Sequence, residues 1–114
     1  MESKKIKDSI VEILESKKAK DLSVVDISKI SILADYFIIC SGTSVTHIRA
    51  LADEVLEKMK DLGYYNNHKE GYSSARWILL DYGEVVVHIF HEDERSFYNL
   101  DRLWADGIEV YKER

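Results

Sequence analysis

The sequence predicts a single α/β (α+β) domain in which a mixed five-stranded sheet is flanked by helices, in the order α-β-β-α-β-β-β-α. Three observations lead there. Apolar residues recur with a 3.6-residue period through the middle of the chain, from Ile48 to Leu62. Two short runs rich in apolar residues, Arg76–Asp81 and Glu84–Phe90, flank Tyr82-Gly83 as a hairpin would. The chain has 114 residues, no proline, and no repeat or low-complexity linker that would divide it, so residues 1–114 are read as one domain.

Each element has its own warrant. Ile6, Ile10, Ile13 and Leu14 fall on one face of a helix over residues 3–18. Leu22–Ile27 is short and β-branched, and Tyr36–Cys40 is a second apolar run; both read as strands. Ser41-Gly42-Thr43-Ser44 closes the second strand, and Ser44 is placed to cap the helix that follows. Ile48, Leu51, Ala52, Val55, Leu56, Met59 and Leu62 give that helix its buried stripe, and Gly63 ends it where a left-handed residue is wanted. Tyr64–His68 reads as a short strand near a sheet edge. Asp93–Trp104 reads as a last helix, with acids in its first turn and Phe97, Leu100, Leu103 and Trp104 at helical spacing. Ile108–Tyr111 reads as a short strand or an extended arm.

Composition narrows the function. The chain is 46% hydrophobic and 32% charged, an ordinary globular balance. It lacks a run of eighteen apolar residues, and its first twenty residues carry six lysines and no apolar stretch; neither a membrane span nor a secretory leader is expected. Cys40 is the only cysteine, which rules out an intramolecular disulfide and suits a reducing cytoplasm. A net charge of −5 disfavours wide contact with RNA and suits a basic protein partner.

The hairpin carries the functional argument. A two-residue turn at Tyr82-Gly83 pairs Asp81 with Glu84, Leu79 with Val86 and Trp77 with His88. Alternation then places Ile78, Leu80, Val85, Val87 and Ile89 on one face, a purely aliphatic set that belongs against the helices. The other face holds Trp77, Leu79, Asp81, Glu84, Val86, His88 and Phe90. That mixture of aromatics and charges has two readings: a second layer under the terminal helix with His88 hydrogen-bonded at its rim, or a partner-binding surface anchored by Trp77 and Phe90 and directed by Asp81 and His88.

Catalytic signals are weak by comparison. His47, His68, His88 and His91 have no zinc-site spacing, and the acids of His91-Glu92-Asp93-Glu94 are what a helix start would carry anyway. Cys40 sits inside an apolar strand, and Ser41 and Ser44 lack a nucleophile-elbow context. Gly42-Thr43-Ser44, between a strand and a helix, could present N–H groups to a phosphate. A nucleotidyl-transfer site would also need two or three carboxylates on Mg²⁺, and Asp26, Asp35 and Asp81 are isolated in sequence. No cofactor, metal or catalytic residue is assigned.

Three stretches together resemble the ribosomal silencing factor, or Iojap-like, family. They are Ala34-Asp-Tyr-Phe-Ile-Ile-Cys-Ser-Gly-Thr-Ser44 with His47–Asp53; Glu70-Gly71-Tyr72 with Trp77–Phe90; and Arg95, Tyr98, Leu100 and Leu103-Trp104. The resemblance spans residues 1–104 and leaves 105–114 as a tail without an assigned role. It implies a domain similar to the nucleotidyltransferase fold that binds instead of catalysing. It also implies docking on the large ribosomal subunit through its L-fourteen-type protein, blocking of subunit joining, and lower translation when nutrients are short. Organelle relatives are linked to large-subunit maturation, and members tend to form homodimers when free. Carried over by position, Trp77, Asp81, Tyr82 and His88 are the leading interface candidates, with Phe90, Arg95 and Tyr98 next. The mixed sheet face is the expected dimer surface.

Overall fold

The computed structural model describes residues 2–29, 31, 32 and 34–93, together with the backbone of 108–112. Among these residues two helices and six strands follow one another as α1 (Glu2–Ser16), β1 (Lys20–Asp26), β2 (Tyr36–Gly42), α2 (Val45–Asp61), β3 (His68–Glu70), β4 (Trp77–Asp81), β5 (Val85–His91) and β6 (Ile108–Lys112). The strands form one sheet in the order β3-β4-β5-β2-β1-β6. Only β2 and β5 run parallel among these neighbours, and α2 lies in the connection between them. The mixed α/β sheet predicted from sequence is thus present, and the tail adds a sixth strand, β6, beside β1. The helix expected over Asp93–Trp104 falls almost wholly outside the described residues.

Both helices lie on the same sheet face. Ile6, Ile10 and Leu14 of α1 and Ile48, Leu51, Ala52, Val55 and Met59 of α2 pack on Leu22, Val24, Ile38, Cys40, Ile78, Leu80, Val85, Val87 and Ile89. The aliphatic face read from the hairpin is therefore the main core. Burying side chains of this size contributes roughly 1.5–3 kcal/mol each, and this term holds the layers together.

Helix ends follow local chemistry. Ser44 Oγ accepts the His47 N–H at 3.0 Å and caps α2. At the other end Tyr64 N–H reaches Met59 O at 2.8 Å and Gly63 N–H reaches Lys60 O at 2.9 Å, with Gly63 at φ +93°. This is a Schellman closure. α1 ends two residues before the predicted boundary because Lys18, at φ 62°, makes the same closure, with Ala19 N–H on Leu14 O at 3.0 Å. The third strand is also displaced. The Tyr64 N–H is spent on the α2 cap, so ladder pairing begins only at His68, opposite Asp81.

The hairpin register is corrected too. Tyr82 N–H bonds Val85 O at 2.9 Å, so the two-residue turn is Gly83-Glu84 and not Tyr82-Gly83. Asp81 Oδ1 accepts the Gly83 N–H at 2.7 Å, and Glu84 O accepts from Asp35 and Tyr36, tying the turn to the start of β2. Trp77 consequently faces Phe90, Leu79 faces His88 and Asp81 faces Val86. The slip is two residues, an even number, so every side chain keeps its predicted face.

Candidate functional site

The face opposite the helices can be read as rows across the sheet, because directly paired residues point the same way. One row runs Glu70, Leu79, His88, Ile39 and Ser23; the next runs His68, Asp81, Val86, Phe37 and Val25. A third begins Trp77, Phe90, Ser41. Toward β1 this face is closed: Val25, Ile27, Ala34, Ile39 and Phe90 form a small second core. Toward β3 it opens. Trp77, Leu79, Asp81, Val86 and Phe37 are half-buried, and His68 and Glu70 are exposed. The face is thus buried at its β1 end and accessible at its β3 end; the terminal helix that the second-layer reading placed over it lies outside the described residues.

His88 organises the junction between the halves. Its ring is 4% exposed, and burial pushes its pKa down to about 4, so it is neutral at pH 7. Trp77 Nε1–H donates to His88 Nδ1 at 3.1 Å, which places the remaining imidazole proton on Nε2. That Nε2 is buried without a hydrogen-bond partner among the described residues. Aromatic rings close in around the pair. Trp77 stacks on Phe90 with centroids 5.0 Å apart, and Phe37 meets His88 at 4.7 Å. The indole is thereby held in one orientation by a hydrogen bond and a ring stack.

The loop before Trp77 is equally fixed. The Arg49 guanidinium donates to Tyr72 O at 3.1 Å and to Ser73 O, and Tyr72 Oη–H donates to Asp53 at 3.0 Å, clamping residues 72–73 to α2. Gly71, at φ +80°, lies so close to β4 that a Cβ there would sit 2.0 Å from Trp77 O. Only glycine fits that approach.

Other predicted site residues separate. Tyr82 is not on this face: its ring belongs to the core under the helices, and burial raises its phenol to about 12. His88 and Phe90 lie beneath Trp77 as its support, too buried to be broad contacts themselves. Arg95 and Tyr98 lie outside the described residues. Glu70, His68 and Phe37 join the face although sequence reasoning did not select them. Alternation along Tyr36–Cys40 could have found Phe37, whereas Glu70 and His68 needed the true position of β3.

The phosphate-loop alternative finds the central donor of its loop, the Thr43 N–H, already engaged. Thr43 N–H bonds His47 Nδ1 at 3.0 Å, and His47 Nε2 in turn meets Lys17 O at 3.1 Å. Asp26 accepts from the Ser28 N–H and hydroxyl, which hold its carboxyl below the usual range. Asp81 serves the hairpin turn. Asp35 shares a hydrogen bond with Glu84 that raises the Glu84 pKa. Among the described residues no three His, Cys, Asp or Glu side chains gather as a metal site would require, and no helix is long and apolar enough to cross a membrane.

A model of the family described as ribosomal silencing factor during starvation matches residues 1–114. The chain belongs to that family. It is 45% identical over 93 residues to the ribosomal silencing factor of Bacillus subtilis, covering 82% of this chain and 79% of that one. A Chromobacterium violaceum crystal structure superposes with a TM-score of 0.89 at 36% identity, covering 92% of this chain and 88% of that one. The family extends to organelles: a mouse protein named for mitochondrial assembly of the ribosomal large subunit is 30% identical over 101 residues, which cover 86% of this chain and 44% of the mouse protein. The family's description names a silencing role at the ribosome during starvation.

Proposed function

We propose that this ribosomal silencing factor docks its Trp77 face on a basic protein of the large ribosomal subunit, of the L-fourteen type, and so prevents the small subunit from joining. The proposed setting is the cytoplasm, with little direct RNA contact. The observation that carries the reading is the half-buried Trp77, pinned by His88 and Phe90 on the same sheet face as the carboxylate of Asp81. A rigid aromatic anchor that shares its face with an acid suits a basic protein surface. Free copies pair through the same face, which would shelter Trp77 until a ribosome competes; sedimentation in which Trp77→Asp leaves a dimer intact would sink that part.

The test is co-sedimentation with purified large and small subunits, before and after magnesium-driven joining. Binding to the large subunit alone, with fewer joined ribosomes as protein is added, is the expected result. Trp77→Ala should weaken binding by about thirtyfold, equivalent to about 2 kcal/mol for a central anchor, while circular dichroism still reports a folded domain. The mouse relative's name favours one further reading, a factor in large-subunit assembly. Binding without loss of joining, together with immature large subunits in a deletion strain, would select it.

A further inference from the structure

Beside Trp77 the face holds a recess of about 280 Å³, lined by Glu70, Gly71, Trp77 and Leu79. We infer that this recess is a socket for one arginine side chain of the docking partner, stacked on the Trp77 indole and paired with the Glu70 carboxylate. The inference rests on the docking reading above and names the chemistry that the face selects.

Four features lead to it. The antiparallel register sets Glu70 opposite Leu79, so its carboxylate rises on the same side as Leu79 and Trp77. Gly71 lies hard against β4 and lines the recess with backbone alone. The described residues on this face of β3, β4 and β5 include two carboxylates, Glu70 and Asp81, and no lysine or arginine. Lys69 turns the other way and places its ammonium 4.5 Å from the Tyr72 ring centroid. Finally, Glu70 is 66% exposed and engaged by His68 Nε2 at 2.9 Å, an exposed pairing that an incoming guanidinium can replace at little cost.

Competing occupants fit worse. An apolar side chain would cover the Glu70 carboxylate without pairing it, which costs free energy. A nucleic-acid phosphate would meet two like charges. A guanidinium satisfies both walls at once, because its flat face stacks on indole while its edge offers paired N–H donors to a carboxylate. Lysine can do the second as a point charge but stacks less well.

The experiment titrates purified large ribosomal subunits against wild type, Glu70→Gln, Glu70→Lys and Trp77→Ala at several salt concentrations. Glu57→Gln, on α2 and away from the face, is the control. Glu70→Gln should weaken binding by about tenfold and flatten its salt dependence, the loss expected for one charge-assisted pair. Glu70→Lys should weaken it further, and the control should bind as wild type. If Trp77→Ala abolishes binding while both Glu70 variants match wild type, the socket inference is overturned and docking through Trp77 stands. If Trp77→Ala also binds normally, the docking reading itself is wrong. Tighter binding by Glu70→Lys would identify an anionic occupant and overturn the inference. Glu70 is exposed, so loss of fold does not confuse the comparison.

Discussion

Acidifying the protein should weaken the fold through one side chain, His88. Burial lowers its pKa from 6.5 to about 4, whereas in the unfolded chain it returns to its ordinary value. Above pH 6.5 both states hold a neutral ring, and the full stability is present. Between pH 6.5 and 4 the unfolded state takes up a proton that the folded state refuses, so stability falls as pH falls; below pH 4 the loss levels off. At about 1.4 kcal/mol per pKa unit, the shift amounts to about 3 kcal/mol. Part of the resistance is geometric, because the Nδ1 lone pair that a proton would need already accepts the Trp77 N–H. Urea midpoints followed by circular dichroism from pH 7.5 to 4 would measure the effect, with His88→Asn as reference. Asparagine can keep an acceptor near the Nδ1 position but does not titrate. Asp26, whose lowered pKa also favours the fold above its titration, contributes to both curves and cancels. Parallel curves for the two proteins across that range would refute the assignment of a buried neutral imidazole.

Three further outcomes follow from local geometry. Ser44→Ala removes the oxygen that caps α2 and should cost about 1 kcal/mol in thermal or urea unfolding, with subunit binding retained once folded. Gly71→Ala combines a positive φ with a Cβ 2.0 Å from Trp77 O; it should cost at least about 2 kcal/mol and shift Trp fluorescence in the folded state. Calorimetry with Mg-nucleotides should give no binding heat, because the Thr43 N–H is already bonded to His47; micromolar binding would reopen the phosphate-loop reading.

The sequence declared its helices and its two-faced hairpin well, for identifiable reasons. Period and capping chemistry coincide in α2, where Ser44 and Gly63 mark both ends. The hairpin faces depend only on parity, so a turn misplaced by two residues left them intact. What stayed hidden either lacked a residue signal of its own or depended on contacts distant in sequence. Lys18 in a left-handed cap carries no glycine to announce it. β3 starts at His68 because the α2 cap consumes Tyr64 and β4 offers its partners only from Asp81 onward. Tyr82 looked like a turn residue until its pairing with Val85 turned its ring under the helices. For the candidate site, Trp77, Asp81, His88 and Phe90 could be read from alternation. Their division into an exposed anchor and a buried support could not, because it depends on how far the β1–β2 side closes over the face.

The parallel pairing of β2 with β5 bears on how this protein comes to be active. Tyr36 meets Val85 and Gly42 meets His91, so the centre of the sheet joins segments from the first and last halves of the chain. Such long closures are slow compared with a helix or an isolated hairpin. A chain with α2 formed and the β4–β5 hairpin closed, but not yet seated on β2, would lack Phe37 and Ile39 beside His88, leaving the ring that orients the indole open to water on one side. The buried, neutral state of His88 is therefore expected to arrive only when the hairpin seats on β2, in the same kinetic step as the rest of the fold.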